Sequence, residues 1–135
     1  MREILFHGKR TDCGAWVEGD LLQTRYHSGH IEYQIMPQTP VSSAYPVIPE
    51  TVGQYTGLTD KNGVRIFEGD ICKFKRFNDV HVGKVVFNVT TASFVMWYQP
   101  IVGAYGEKAT QKMLLSACDN IEVIGNIHDN PELLE

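Results

Sequence analysis

Alternation of apolar and polar residues predicts that most of this chain forms β-strands. Ile31, Tyr33 and Ile35 alternate with Glu32 and Gln34, which is typical of a strand with one buried face. Glycine or proline recurs roughly every ten residues, with short β-branched and aromatic runs between them, as in an all-β sandwich or barrel. The other predicted strands are residues 2–6, 15–23, 64–67, 71–77, 80–89, 93–99 and 121–125.

Turn and cap residues separate these strands. The sequence from Asp60 to Gly63, Asp-Lys-Asn-Gly, predicts a tight turn because Asn and Gly tolerate positive φ. Residues 107–117 fit either a helical turn or a strand. Near the C-terminus, Asn130 can cap a short helix whose first residue is Pro131.

Residues 37–49 contain four prolines, which exclude a helix or a central strand there. Such a stretch is a long loop or a boundary, and long loops are often contact surfaces. We therefore expect an N-terminal β segment, residues 1–50, that ends in this proline-rich loop, followed by a second β domain, residues 51–135.

Composition narrows the classes of protein. The 135 residues carry a formal net charge of −4, which does not favour a nucleic-acid backbone or a polybasic membrane contact. The sequence contains no apolar run long enough to predict a signal peptide or a membrane span. Cys13, Cys72 and Cys118 are few and far apart, so we expect reduced thiols in a cytoplasmic protein. The lack of a CxxC pair excludes a thiolate zinc site, and we expect no cofactor.

The sequence Glu-Gly-Asp occurs twice in the same apolar context, at residues 18–20 and 68–70. The two copies are flanked by Trp-Val and Leu-Leu in the first case, and by Ile-Phe and Ile-Cys in the second. Two copies do not make a repeat protein. We interpret both as one device, a glycine-centred turn that leads into a buried strand.

Two longer segments resemble the YopX family of bacteriophage and prophage proteins. They are residues 51–71, TVGQYTGLTDKNGVRIFEGDI, and residues 121–134, IEVIGNIHDNPELL. Residues 2–10 and 16–20 are similar to the start of the same family, in which an arginine is common at the place of His7.

The resemblance implies a phage or prophage origin and a β-rich fold whose C-terminal part is an SH3-like small barrel. The family is functionally uncharacterised, so the resemblance implies no activity. The expected fold class is therefore mainly β, with an N-terminal β segment, an SH3-like small barrel and a short C-terminal helix.

Three sets of polar side chains are candidates for acid–base or metal chemistry. They are Glu18 with Asp20, Glu68 with Asp70, and His27 with His30. For the carboxylates we favour turn chemistry, in which the aspartate accepts backbone N–H groups. For the histidines, the glycine between them favours a polar hairpin loop over a metal-binding helix.

One cluster of basic and aromatic residues could contact nucleic acid, and its cations are Lys73, Lys75, Arg76 and Lys84. Single-strand binders combine phosphate contacts with base stacking. Simple amphipathic alternation also explains it, because Lys73 and Lys75 share one strand face and Phe74 lies on the other.

A second cluster is a possible interaction surface, formed by Phe94, Met96, Trp97 and Tyr98. Large apolar groups on both faces of one strand indicate that the strand is fully buried or covered by another chain. Self-association is the favoured use of this surface.

Catalytic motifs such as GxSxG, HExxH and GxGxxG are absent, so we assign no catalytic or metal-binding residue and do not expect an enzyme. The favoured hypothesis is a phage-derived, non-catalytic binding or assembly module that binds itself, as a homo-oligomer, or a host protein. The alternative is a nucleic-acid-binding small barrel that uses the basic strand 73–76. An enzyme centred on the carboxylate pairs ranks third.

Overall fold

The protein is mainly β, with 57% of its residues in strands and two antiparallel sheets. The structure is a computed structural model and describes residues 1–39, 43–99 and 111–134. Residues 40–42, the centre of the predicted proline-rich loop, lie outside the described residues. The chain divides into two compact units, Met1–Gly57 and Leu58–Glu135. Among the described residues, no helix is long and apolar enough to cross a bilayer.

The N-terminal unit is built on a sheet with the strand order β4-β3-β2-β1-β5. Its first two strands pair as an antiparallel hairpin, with Phe6 opposite Gly19 and Lys9 opposite Trp16. The first strand begins at Phe6, the last residue of the predicted strand 2–6. Ile35 is fully buried, as the alternation in its strand predicts. The strands are β1 (Phe6–Lys9), β2 (Trp16–Arg25), β3 (Ile31–Met36), β4 (Tyr45–Pro46) and β5 (Gly53–Thr59).

The C-terminal unit is built on a five-stranded antiparallel sheet with the order β10-β9-β8-β7-β11. Its core is one cluster that includes Ile66, Cys72, Phe74, Met96 and Tyr98. The strands of this sheet are β7 (Asp70–Arg76), β8 (Asp79–Asn88), β9 (Ser93–Tyr98), β10 (Gln111–Leu114) and β11 (Asp119–Asn126). The unit also contains β6 (Arg65–Phe67), which is not one of these five.

The predicted tight turn precedes β6 and is fixed by a buried aspartate. The Asp60 carboxylate accepts backbone N–H groups from Asn62 and Val64 in the turn, and from Val123 in β11. Burial opposes ionisation of this carboxyl, but the three hydrogen bonds outweigh it and hold the pKa of Asp60 below its usual value. The turn is thereby tied to a strand at the edge of the sheet.

Two details of the predicted fold differ from the structure. The five-stranded sheet is open rather than a closed barrel, because β10 and β11 each pair with one neighbour among the described residues. The C-terminal helix is a single 3-10 turn, Pro131–Leu134, closed by the i→i+3 hydrogen bond from Leu133 N–H to the Asn130 carbonyl. The SH3-like assignment stays a prediction.

Candidate functional site

The predicted interaction surface on β9 is divided between the two faces of the sheet. Met96 and Tyr98 are buried in the core of the C-terminal unit, and Phe94 packs against that core. Only Trp97 points to the other face, where it is half-buried. Alternation predicts this division between the two faces, and the buried side chains of Met96 and Tyr98 agree with the alternative in which the strand is covered by the protein itself. The use of the surface in self-association stays a prediction.

Arg76 also lies on the core side, away from the lysines with which it was grouped. Its guanidinium donates to the hydroxyl oxygen of Tyr98 and, at 2.8 Å, to Gln111 Oε1. The Tyr98 hydroxyl donates to the same Gln111 oxygen at 3.1 Å. Arg76 therefore links β7 to β9 and β10 from the face of the sheet opposite to Lys73 and Lys75.

The opposite face of the sheet carries lysines from three strands. Lys73 and Lys75 of β7 are paired with Val82 and Val80 of β8. Trp97 is paired on one side with Lys84 and on the other with Lys112. We call this surface the lysine face, and it consists of Lys73, Lys75, Val80, Val82, Lys84, Trp97 and Lys112.

Trp97 is held at the centre of this row by a cation–π contact. The Nζ atom of Lys84 lies 4.5 Å from the centroid of the Trp97 ring. The exposed fractions of Val80 and Val82 are 48% and 37%, which is high for valines in a strand. The lysine face therefore combines positive charge with accessible apolar area.

Two acidic residues lie beside the lysine face, on the edge strand β11. Glu122 is paired with Lys73 and forms an ion pair of 3.3 Å with Lys61. Asp119 is paired with Lys75 and is exposed. Counting Lys61, five lysines face two carboxylates, so this surface is positive in a chain whose net charge is −4.

Two neighbouring cavities lie along the lysine face. The first has a volume of about 310 Å³, and its walls include Val80, Val82, Trp97, Leu133 and Leu134. The second has a volume of about 260 Å³, and its walls include Lys61, Lys73, Lys75, Val80 and Glu122. Val80 lines both, so the first cavity, which we call the Trp97 cavity, shares one wall with the second, the cationic cavity. The walls of the Trp97 cavity are of mixed polarity, since His81, Tyr98 and Gln99 also line it.

The carboxylate pairs serve different local structures. The Asp70 carboxylate is buried and accepts the Phe67 backbone N–H at 2.8 Å, which confirms turn chemistry for the second pair. Asp20 lies in the continuous strand β2, where it is exposed and accepts the Gln38 side-chain amide at 2.6 Å. The predicted turn is therefore wrong for the first copy of Glu-Gly-Asp. Among the described residues, no three His, Cys, Asp or Glu side chains converge as a metal site would require.

The histidine pair lies in a hairpin loop, as predicted, and the cysteines are unpaired. His27 and His30 lie in the loop that joins β2 to β3, closed by a 2.8 Å bond from Tyr26 N–H to the His30 carbonyl. All three cysteines are free. Burial raises the pKa of Cys72 far above its usual value and that of Cys118 to about 11, so both are inert core thiols.

Sequence reasoning found most lysines of this site but missed Lys112. Alternation along β7 and β8 is visible in the sequence, whereas the prediction for residues 107–117 was open between helix and strand. The pairing of β10 with β9 brings Lys112 beside Trp97 across a long connection. The signal that could have found it is the Lys-Met-Leu-Leu run that follows Gln111.

Comparison with known proteins identifies the family. A crystal structure of protein EF1440 from Enterococcus faecalis matches with a TM-score of 0.55 and 23% sequence identity, covering 100% of both chains. At that identity the match supports the fold alone. No curated protein matches this chain significantly. The family model described as YopX protein matches residues 5–135, nearly the whole chain. The chain therefore belongs to the YopX family.

Proposed function

We propose that this chain is a non-catalytic binding module of phage or prophage origin, and that the lysine face binds an anionic partner. The observation that carries the proposal is the row formed by Lys84, Trp97 and Lys112 across three paired strands. Lys73 and Lys75 extend this row along β7. Clustered cations beside accessible apolar side chains favour an anionic partner with apolar groups.

Charge argues against use of the lysine face for self-association. In a two-fold symmetric dimer the same patch meets itself, so lysines would oppose lysines. Like charges held together cost stability. A homo-oligomer through β9, as the sequence suggested, would also have Trp97 alone as its apolar anchor, since Met96 and Tyr98 are buried. An anionic partner is favoured by the same charges.

The proposal that the protein is non-catalytic rests on the structural hydrogen bonds that the candidate carboxylates form. Asp70 accepts a hydrogen bond from the Phe67 N–H, and Asp20 accepts one from the side-chain amide of Gln38.

Free thiols at Cys13, Cys72 and Cys118 support a reducing, cytoplasmic location.

Retention on immobilised heparin tests the proposal, because heparin is a polyanion and the protein as a whole is acidic. At neutral pH the net charge of −4 opposes retention, so binding reports the local lysine cluster. We expect the wild type to be retained and eluted by salt. The triple variant Lys73→Ala, Lys75→Ala, Lys84→Ala should flow through.

The matched control is Arg25→Ala, which removes an exposed cation at the end of β2 in the N-terminal unit. It should elute with the wild type. Wild-type protein in the flow-through, or equal losses for Arg25→Ala and the triple variant, would overturn the proposal. Light scattering on the eluates measures the oligomeric state, and a stable dimer that is lost with Trp97→Ala would return self-association to first place.

A further inference from the structure

We infer that the anionic partner is single-stranded nucleic acid, whose base enters the Trp97 cavity while its phosphates lie against Lys73 and Lys75. This inference rests on the proposed function and names the partner of the same surface. The observation behind it is the shared wall: Val80 lines both the Trp97 cavity and the cationic cavity. A nucleotide has the same two parts, an aromatic base and an anionic phosphate, joined by a short sugar.

The Trp97 cavity suits one base. Its volume of about 310 Å³ lies at the lower end of the range for small-molecule sites, which begins at roughly 300 Å³. Its walls combine the Trp97 ring and the aliphatic side chains of Val80 and Val82 with residues that carry polar groups, among them His81 and Gln99. Bases stack on aromatic rings with little regard to sequence, because every base has a π-face.

The cationic cavity is close enough to hold the phosphate of the same nucleotide. Val80 and Lys75 are directly opposite on paired strands, and so are Val82 and Lys73. Paired strands lie about 4.8 Å apart. A base between Val80 and Val82 therefore lies next to the side chains of Lys73 and Lys75, which line the adjacent cavity where its own or the neighbouring phosphate would lie.

The cavities favour a single strand over a duplex. A paired and stacked base cannot enter a cavity unless the duplex is opened, which costs a few kcal/mol for each base. The lysine face is part of a sheet, and lysine contacts the backbone as a point charge without reading base edges. An acidic peptide would satisfy the lysines but would fill the Trp97 cavity only with an aromatic residue at a fixed spacing.

Fluorescence anisotropy with a fluorescein-labelled thymidine oligonucleotide of about 15 residues tests the inference. We expect salt-dependent binding by the full-length protein and weaker binding of a duplex of the same length. Trp97→Leu keeps an apolar side chain and should lower the affinity for the single strand about tenfold. It should lower the affinity for the single strand more than it lowers the salt concentration at which heparin releases the protein, because no cation is lost.

The lysine substitutions should change a different quantity, the dependence of the affinity for the oligonucleotide on salt concentration. The variant Lys73→Ala, Lys75→Ala removes two phosphate contacts, so the slope of log K against log salt should become shallower by about 1.4. Arg25→Ala is again the matched control. A poly-glutamate competitor measures how far charge alone explains binding.

A second measurement does not require a variant at Trp97. Trp16 and Trp97 are the two tryptophans, so Trp16→Phe leaves the cavity residue as the sole reporter. Quenching of its fluorescence by the unlabelled oligonucleotide supports stacking on Trp97. Unchanged fluorescence on saturation would overturn the base site.

Failure of this inference differs from failure of the proposed function. If heparin retains the protein but poly-glutamate competes as well as the oligonucleotide and Trp97→Leu has no effect, the partner is another polyanion. That outcome overturns the nucleic-acid inference and leaves the lysine face as an anion-binding surface. If neither heparin nor the oligonucleotide binds, both are overturned.

Discussion

The two Glu-Gly-Asp segments have the same three residues and different structures. In the first, Gly19 lies inside the continuous strand β2 and is buried. In the second, Gly69 has a φ of +94° and forms the turn between β6 and β7. The Gly69 N–H donates to the Val85 carbonyl at 2.8 Å, and the Gly69 carbonyl accepts the Ile127 N–H at 2.9 Å.

Glycine is needed in both places, but for different physical reasons. At Gly19 the need is space, since an ideal Cβ there would lie 1.9 Å from the carbonyl oxygen of Met36 and 2.8 Å from the Cα of Pro37. At Gly69 the need is conformational freedom, because no heavy atom lies within 3.8 Å of an added Cβ. One residue type thus answers two separate constraints.

The largest expected effect is that of Gly19→Ala. The atoms in the way are backbone atoms, so the end of β3 must move and the pairing of Asp20 with Met36 must break. We expect a loss of about 3 kcal/mol or more in the free energy of unfolding. Urea unfolding followed by the fluorescence of Trp16, which lies in β2, measures it.

Gln23→Ala is the control for Gly19→Ala, because it changes an exposed residue of the same strand. It should change the free energy of unfolding by about 0.5 kcal/mol or less. A Gly19→Ala protein within 1 kcal/mol of the wild type would contradict the steric explanation.

The difference between the two segments marks the limit of what the sequence predicts. The Glu-Gly-Asp turn at Gly69 is predicted correctly because its causes are local: positive φ and an aspartate that accepts a nearby N–H. The same interpretation is wrong at Gly19 because the cause is Met36, which belongs to another strand. The sequence around Gly19 contains no signal for a close approach by a segment that is distant along the chain.

The candidate site shows the same limit. Alternation places Lys73 and Lys75 on one face, and the same rule applied to Arg76 assigns it to the other face, where the structure has it. Lys112 depends on how β10 pairs with β9, which a local pattern does not contain. Periodicity therefore predicts which face a residue occupies, and topology decides which residues meet there.

The next prediction compares the loss in the free energy of unfolding when Asp70 or Asp20 is replaced. Asp70→Ala removes a buried carboxylate and leaves the Phe67 N–H without that acceptor, which should cost about 2 kcal/mol. Asp20→Ala removes an exposed hydrogen bond to Gln38 and should cost about 0.5 kcal/mol or less. Urea unfolding of the two variants measures both, and equal losses would contradict the distinction between a turn aspartate and a strand-surface aspartate.

The sharpest comparison comes from placing alanine and asparagine at each glycine, because it depends on the order of the effects rather than on their size. At Gly69, alanine should cost about 1–2 kcal/mol through backbone strain alone, and asparagine less, because asparagine tolerates positive φ better than alanine. At Gly19 the order should reverse, because the longer side chain adds to the clash with Met36. Thermal unfolding of the four variants therefore should give two rankings that cross. If asparagine is worse than alanine at both positions, space limits both glycines and the contrast between the segments disappears. If asparagine is better at both, backbone conformation limits both.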